Sequence, residues 1–430
     1  MTMETIFYPE ESRWEELCAR PRTDTSALEA VCREIFDQVR TEGDAALRRY
    51  TERFDRVKVS DLAVSAEEFD RAGELVPPSL QQAIRTAREN IEGFHLREVP
   101  RSLRWKSPQG VVCRQQARPI RRVGIYVPGG SAPLFSTVLM LAVPAAIAGC
   151  PEVVMCTPPG KDGRVNPAVL WTARLCGVEK VFRVGGIQAI AGMTFGTESI
   201  PAVNKLFGPG NGYVMAAKQL AQRFGVAIDM PAGPSEVLVV ADGGARADFV
   251  AADLLSQAEH GPDSQVVLLT DRKDFPARVQ AELERQLAEL PRRDIAEKAL
   301  SHSRIIVLES IGRCLEFSNA YAPEHLILSV RQSEKYARAV ENAGSVFLGN
   351  YSPESAGDYA SGTNHTLPTS AYARAYSGVN VDAFVKKITF QKVTPSALQA
   401  LGPVIQAMAQ AEQLDAHSRA VTIRLNALKK

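Results

Sequence analysis

The sequence predicts an α/β fold with two Rossmann-like, parallel-sheet domains. Short β-branched runs recur between residues 123 and 348, they alternate with helix-like segments, and several end in glycine-rich turns. Strands separated by about 20–30 residues cannot pair as hairpins, which favours βαβ units. Glycine-rich turns at the carboxyl ends of such strands are where open α/β sheets bind ligands.

The predicted strands form two series. Those of the first series are 123–127, 153–156, 181–184, 205–207 and 226–229. Those of the second series are 236–241, 265–270, 304–308, 326–330 and 345–348. Apolar residues at helical spacing dominate before and after both series. We therefore expect four segments: a helical N-terminal arm at 1–22, a larger α/β domain formed by 23–125 with 235–379, a smaller α/β domain at 126–234, and a helical tail at 380–430.

The composition argues against nucleic acid and membranes as partners. The chain has 430 residues, and its 50 Lys and Arg nearly equal its 49 Asp and Glu. A net charge near zero gives no electrostatic case for binding nucleic acid or an anionic membrane. The longest apolar run, 138–149, is shorter than the roughly 20 residues that a membrane span needs.

The cysteines and the first residues predict a cytoplasmic protein. The seven cysteines are scattered and include no Cys-x-x-Cys pair. This distribution argues against a disulfide framework and against an all-cysteine zinc site. The chain starts without a basic segment followed by an apolar one, so we expect no signal peptide.

One glycine-rich turn is a candidate anion site. The segment 208–213, Gly-Pro-Gly-Asn-Gly-Tyr, follows a predicted strand and precedes a helix, whose N-terminus favours a phosphate or another anion. No Gly-x-Gly-x-x-Gly fingerprint occurs at a strand–helix turn, and no Walker A loop is present. A dinucleotide, if bound, is therefore not held in the usual Rossmann way, and the usual ATPase interpretation is excluded.

Histidine is scarce in this chain and is concentrated in polar segments. Four of the six histidines lie near carboxylate or amide side chains, namely His260, His325, His365 and His417. Imidazole binds borderline metals and transfers protons near neutral pH. These four segments are therefore the candidate sites of chemistry.

Two of these segments offer specific geometry. Gln257 and His260 are three residues apart at the end of a predicted helix, so they share a face that would ligate a cation; alternatively, His260 only meets the negative end of that helix.

Glu324 and His325 open a predicted strand, where the side chains of neighbouring residues diverge unless the backbone is irregular. The preceding proline favours such irregularity, which would place two proton-transfer groups together. The alternative is a charged strand edge in solvent.

The other two segments carry weaker signals. Asp358 and His365 flank a polar loop, and loops of this kind often carry ligands. The alternative is a helix-capping Asp and a surface His. Glu412 and His417 are five residues apart in the tail, which does not place them on one helical face.

Taken together, these segments resemble the histidinol dehydrogenase family. The likeness covers nearly the whole chain in order, and it rests on the segments 126–138, 184–190, 207–211, 229–237, 253–265, 322–326, 344–368 and 411–417. The resemblance implies an NAD-dependent enzyme of histidine biosynthesis. Such an enzyme oxidises L-histidinol to L-histidine through an enzyme-held aldehyde, L-histidinal, and reduces two NAD.

The resemblance also implies roles for individual residues. One zinc ion per subunit would be held by Gln257, His260, Asp358 and His417. The substrate would contact these four residues and also Ser235, His325 and Glu412. The catalytic residues would be His325, as general base, and Glu324, which activates water. NAD would contact Tyr126, Gln188 and Asn211.

The resemblance assigns these roles to the predicted segments. The larger domain would carry the zinc and the catalytic residues, and the smaller domain would bind NAD. The tail would be swapped between the subunits of a homodimer. Glu412 and His417 would then complete the active site of the neighbouring subunit.

Two other functions fit the same fold. A paralogous NAD-dependent dehydrogenase would act on another amino alcohol or on a hydroxysulfonate, because a fold does not fix a substrate. A non-catalytic solute-binding protein would also place two α/β domains around a cleft. The expected lack of a signal peptide and the Glu324–His325 pair argue against the second of these.

Overall fold

The computed structural model describes residues 3–21, 25–129, 133–231 and 233–429. The chain divides into two compact units. The first consists of Met1–Glu98 and Ile120–Phe384, and the second of Val99–Pro119 and Val385–Lys430. Among the described residues, none of the helices combines the length and the apolar character that crossing a membrane requires.

The described residues form strands and helices in alternation. The strands are β1 (Glu4–Phe7), β2 (Leu103–Lys106), β3 (Val112–Pro119), β4 (Arg122–Tyr126), β5 (Glu152–Cys156), β6 (Lys180–Phe182), β7 (Lys205–Phe207), β8 (Ala227–Ile228), β9 (Glu236–Ala241), β10 (Gln265–Thr270), β11 (Arg304–Val307), β12 (His325–Ser329), β13 (Ser345–Leu348) and β14 (Val385–Lys392). The α-helices are α1 (Trp14–Leu17), α2 (Thr25–Glu42), α3 (Asp44–Asp55), α4 (Ala66–Leu75), α5 (Pro78–His95), α6 (Phe135–Ala148), α7 (Pro167–Leu175), α8 (Gly186–Phe195), α9 (Gly212–Gln222), α10 (Ala247–Ala258), α11 (Phe275–Leu287), α12 (Arg293–Leu300), α13 (Ile311–Tyr321), α14 (Ser333–Tyr336), α15 (Glu354–Tyr359), α16 (Pro395–Ala411) and α17 (Asp415–Ala427). Short 3₁₀ helices cover Glu11–Arg13, Leu96–Glu98, Ala337–Ala339, Tyr372–Arg374 and Val381–Phe384.

The first unit contains two parallel sheets of the same design. One has five strands in the order β6-β5-β4-β7-β8. The other has six strands in the order β1-β11-β10-β9-β12-β13. Apart from β1, which lies at the edge of the second sheet, the chain starts in the middle of each sheet, moves to one side and then returns to the other. The strand order therefore reverses between β4 and β7 in the first sheet and between β9 and β12 in the second, and such reversals create a crevice for ligands.

The central strands are buried on both faces. Every residue of β9, β10 and β12 is buried. Helices pack on both sides of such sheets, so their strands read as continuous apolar runs rather than as alternating patterns. All ten strands predicted from the sequence correspond to β4 through β13, which confirms the two parallel sheets.

The chain ends differ from the simplest expectation. The predicted helical arm contains α1 but begins with β1, which pairs with β11 at the edge of the second sheet. The predicted helical tail contains α16 and α17, preceded by β14. Strand β14 pairs with β3 and β3 with β2, in an antiparallel sheet that belongs to the second unit. Most residues of β14 are exposed, so the strand has no buried face that a sequence pattern would mark.

The helices of the second unit expose large apolar side chains. Gly402 of α16 lets α17 approach closely, because a Cβ there would lie 2.8 Å from Leu425. Away from the contact between Gly402 and Leu425, the two helices and the turn between them expose large apolar side chains. These include Val404, Met408, Leu414 and Ile423. A surface of this kind is typical of a helical pair that packs against another protein surface.

The crevice of the first sheet depends on one glycine. Gly208 follows β7 and has φ +134°, in the region that disfavours side chains. A Cβ at this position would lie 2.2 Å from the carbonyl oxygen of Tyr126 at the end of β4. Any side chain at 208 would therefore separate the two strands that border the crevice.

We predict that Gly208→Ala destabilises the first unit through both strain and this clash. A matched control is Gly225→Ala, because Gly225 has φ +84° but no neighbouring atom within 4 Å of its Cβ position. The control should lose about 1–2 kcal/mol of unfolding free energy from backbone strain alone. Gly208→Ala should lose roughly 1–3 kcal/mol more. Denaturant unfolding measures both, and equal losses would show that the close approach imposes no constraint.

Candidate active site

A cavity of about 1230 Å³ lies at the carboxyl ends of the strands of the first sheet. Tyr126 ends β4, Gln188 lies in the first turn of α8, and Asn211 follows β7. All three residues line this cavity. The structure thus brings together, at one reversal of strand order, three residues that lie far apart in the sequence.

The three side chains differ in their burial and in their hydrogen-bond partners. The Tyr126 hydroxyl accepts a hydrogen bond of 3.0 Å from the Gly186 amide, and burial raises the pKa of this tyrosine to about 12. The Asn211 side-chain oxygen caps α9 by accepting from the backbone amides of Tyr213 and Val214. Gln188 is buried, yet neither its amide oxygen nor its nitrogen has a partner among the described residues. Because an unsatisfied buried amide is costly, Gln188 is suited to meet a ligand.

A buried ion pair fixes the turn between β7 and α9. The Lys218 ammonium lies 2.5 Å from Asp229, and both side chains are almost fully buried. Lys218 also donates to the carbonyl of Gly208, while Asp229 accepts from the amide of the same glycine, each over 2.8 Å. The two charges thus hold the backbone that leads to Asn211.

A second cluster lies at the amino edge of the second sheet. His325 is the first residue of β12 and is in register with Val237 of β9. Gln257 lies in the last turn of α10, and His260 follows two residues after the helix ends. Asp358 lies on α15, which follows β13. Helix ends and strand starts therefore meet at the edge opposite to the one that ligands usually occupy.

The backbone before β12 makes Glu324 and His325 converge. Ala322 is in the left-handed region with φ +55°, and Pro323 follows it. The Glu324 carboxylate consequently turns back to accept a 2.8 Å hydrogen bond from the Glu236 amide, and it lies 3.5 Å from Nδ1 of His325. Both side chains are buried, which excludes a solvent-exposed strand edge.

The two ring nitrogens of His325 have different surroundings. Nδ1 lies 2.9 Å from the Gln257 amide nitrogen and 3.1 Å from the Glu236 carbonyl oxygen. It accepts from Gln257 when unprotonated and donates to the carbonyl when protonated, so one proton cannot serve both contacts. Nε2 has no hydrogen-bond partner among the described residues and lies 3.6 Å from Asp358. If Nδ1 carries the proton, Nε2 is left free to accept one.

Charges dominate this cluster. Burial acts to lower the pKa of His325, but Glu324 and Asp358 act in the opposite direction and raise it well above its ordinary value. Burial acts to raise the pKa of Asp358, but the hydrogen bond and charge of His325 hold it below its ordinary value. The imidazole and its two carboxylates therefore favour the charged state of one another.

Neighbouring groups are suited to hold a cation. Ligand atoms of His260, Glu354 and Asp358 lie within 4.8 Å of one another. The Gln257 side-chain oxygen is buried without a hydrogen-bond partner among the described residues. Imidazole nitrogen with carboxylate oxygen is a donor set that zinc accepts, so these side chains fit such an ion. The alternative that His260 only meets the helix end does not account for the two carboxylates beside it.

Glu354 is a member of this cluster that the sequence analysis did not single out. It is buried at the start of α15, and its carboxylate accepts a 3.1 Å hydrogen bond from Ser256 of α10. Burial raises the pKa of Glu354 well above its ordinary value. Its spacing of four residues from Asp358 places both carboxylates on one helical face, and that spacing is the signal that would have found it.

The remaining predicted residues lie in three places. Ser235 is half-buried directly before β9. His365 lies near Asp358, with its Nδ1 2.8 Å from the Asp358 carbonyl oxygen. Glu412 and His417 belong to the second unit, at the end of α16 and the start of α17, and both are exposed. Their convergence with the residues of the first unit stays a prediction.

Comparison with known proteins gives one consistent result. A family model described as histidinol dehydrogenase matches residues 18–425. Histidinol dehydrogenase of Bacteroides thetaiotaomicron is 55% identical over 427 residues, which cover 99% of this chain and 100% of that protein. The Escherichia coli K12 enzyme of the same name is 53% identical over 419 residues, with 96% and 95% covered. The crystal structure of histidinol dehydrogenase from Elizabethkingia anophelis superposes with a TM-score of 0.97 at 54% identity and covers 100% of this chain and 99% of that one.

We predict that Lys218→Met strongly destabilises the protein, because it leaves the Asp229 carboxylate buried without its partner. The expected loss of unfolding free energy is about 3–5 kcal/mol. The double variant Lys218→Met/Asp229→Asn should recover part of it. Arg293→Met, which removes an exposed helical pair with Glu297, should cost less than about 1 kcal/mol. Similar losses for Lys218→Met and Arg293→Met in urea unfolding would contradict the assigned role of the buried pair.

Proposed function

The chain belongs to the histidinol dehydrogenase family, and from this premise we propose that it oxidises L-histidinol to L-histidine in histidine biosynthesis. L-Histidinal is the enzyme-held intermediate, and two NAD are reduced for each histidinol. The family match over residues 18–425 carries this proposal. The buried Glu324–His325 pair supports it, because two oxidations with a hydration between them need groups that move protons.

His325 is the proposed proton acceptor in the oxidation of the alcohol. Its Nδ1 donates to the Glu236 carbonyl, and its Nε2 accepts the hydroxyl proton as hydride leaves the carbinol carbon for NAD. The contacts that support this role are the 3.1 Å distance from Nδ1 to that carbonyl and the unpartnered Nε2. Glu324 is the proposed base for the next step, in which water adds to the aldehyde. The resulting gem-diol loses a second hydride to a fresh NAD and a hydroxyl proton to the deprotonated His325, and the carboxylic acid so formed releases its proton to water to give the carboxylate.

Zinc is the proposed metal, one per subunit. The proposed ligands are Gln257, His260 and Asp358 with His417 of the partner subunit. When bound, zinc supplies a fixed positive charge and open coordination positions for the imidazole and amino nitrogens of histidinol. The proximity of His260, Glu354 and Asp358 and the unpartnered Gln257 oxygen support a cation at this place. Glu354 is close enough to join or replace a ligand.

NAD is proposed to bind in the cavity of the first sheet, against Tyr126, Gln188 and Asn211. The shared cavity and the unsatisfied amide of Gln188 support this placement. The smaller domain, 126–234, then serves the cofactor. The larger domain, 23–125 with 235–379, serves the substrate, with Ser235 directly before β9 as one contact.

A homodimer with shared active sites is the proposed assembly. In this arrangement Glu412 and His417 reach the substrate site of the neighbouring subunit. The exposed apolar side chains of α16 and α17 support the proposal, because they provide a surface for a second copy. The seven free cysteines suit a reducing compartment, and the cytoplasm is the proposed location.

We predict that the purified protein reduces NAD when L-histidinol is added, with two NADH formed per histidinol consumed. Chelation of the metal should abolish this activity, and zinc should restore it. His260→Ala should lower both activity and bound zinc, measured by absorbance at the NADH band and by elemental analysis. One NADH per histidinol with accumulating aldehyde would contradict the four-electron reaction. Turnover of another amino alcohol or a hydroxysulfonate, with histidinol inert, would point to a paralogous enzyme.

We predict subunit complementation between two inactive variants. His260→Ala and His417→Ala should each lack activity, but a dissociated and reassociated mixture should recover about a quarter of the wild-type activity, because half of the dimers are mixed and each has one intact site. A mixture that stays inactive while mixed dimers form would contradict shared sites. Native mass spectrometry with a size-tagged subunit reports whether they form.

A further inference from the structure

We propose that Arg20 and the buried Glu236 form a positioning pair through which the N-terminal arm orients the catalytic residues Glu324 and His325. The proposal rests on the proposed function, since it concerns the residues assigned to proton transfer there. Its basis is a continuous set of contacts from the arm to both catalytic side chains.

Glu236 connects these contacts. Its backbone amide donates to the Glu324 carboxylate over 2.8 Å, and its carbonyl oxygen lies 3.1 Å from Nδ1 of His325. The same residue thus turns Glu324 back towards His325 and offers Nδ1 an acceptor, which favours the ring tautomer that leaves Nε2 free. A small rotation of the Glu236 backbone would disturb both catalytic groups at once.

The Glu236 side chain is anchored by Arg20. The guanidinium donates from Nε and Nη2 to the two carboxylate oxygens, each over 3.0 Å. This is the bidentate geometry that an arginine forms with a carboxylate and that lysine cannot reproduce. The Glu236 carboxylate is nearly inaccessible to solvent, with 2% of its side chain exposed. Among the described residues, the amide of Ser370 provides the remaining hydrogen bond to this carboxylate, over 2.8 Å.

Arg20 also holds the turn that leads into β12. Its Nη2 donates to the carbonyl oxygen of Tyr321 over 2.7 Å, and its guanidinium stacks on the Tyr321 ring at 3.7 Å. Ala322, whose φ of +55° makes the following residues converge, comes next in the chain. One side chain therefore fixes the start of β9 and the approach to β12, on either side of the reversal in strand order.

The contacts of Arg20 distinguish it from other residues that hold the arm. Arg304 donates to the Leu17 carbonyl over 2.8 Å and lies 3.8 Å from Glu4, so it also fixes the arm. In the part of the chain that the structure describes, Arg304 forms no hydrogen bond or ion pair with Glu236 or with residues 321–325. Arg304 is therefore a matched control that tests docking of the arm without touching the catalytic pair.

The test uses Arg20→Lys in the full-length enzyme. Lysine keeps the positive charge beside Glu236 but loses the bidentate hydrogen bonding. We therefore expect the fold to be retained, while the Glu236 side chain and backbone become free to shift. We expect kcat to fall about 10- to 100-fold, in the range found for residues that orient catalytic groups, while KM for histidinol and for NAD changes by less than about threefold. Arg304→Lys should keep the wild-type kcat. A merely structural role for Arg20 would let lysine restore full turnover.

A second variant covers the case in which Arg20→Lys does not fold. Arg20→Met/Glu236→Gln removes both charges, which avoids the large cost of leaving one buried charge alone. It should show the same fall in kcat with unchanged KM values. Wild-type kcat in either folded variant, with the unmodified enzyme active on histidinol, would overturn the positioning role. Failure of the unmodified enzyme to oxidise histidinol would instead overturn the proposed function.

Discussion

A charged imidazole inside a protein is stable only where opposite charges and hydrogen bonds replace the water that it has lost. Once His325 has accepted a proton, it meets this requirement through Glu324, Asp358 and the backbone of Glu236. These partners come from three strand or helix termini of the second sheet, so the turn before β12, the start of β9 and α15 must fit one another. This constraint explains why a left-handed Ala322 and a buried carboxylate at Glu236 are tolerated there.

The two sheets share one strand order but present opposite edges to their candidate sites. Tyr126, Gln188 and Asn211 lie at the carboxyl edge of the first sheet, where the usual rule for α/β proteins places a ligand. His325 and Gln257 lie at the amino edge of the second sheet, where α10 ends and β12 begins.

The parallel sheets were predictable because their strands are buried on both faces and read as apolar runs. Strand β14 was not predictable, because it is largely exposed and gives no periodic signal. In the candidate site, the resemblance to a known family pointed to the residues around His325. The contribution of Glu354 was detectable from its spacing to Asp358. Arg20 carries no such local signal, because it meets Glu236 across 216 residues of sequence.

The position of Arg20 has a consequence for how the chain folds. The arm is synthesised well before Tyr321, one of its partners, which follows Arg20 by 301 residues. Until then β1 lacks the neighbour β11, and the apolar Trp14 and Leu17 lack the core in which they are buried. An unpaired strand with exposed apolar side chains is prone to associate with other chains. Cotranslational folding of this protein therefore leaves the arm vulnerable to aggregation until the strands and helices that cover it have left the ribosome.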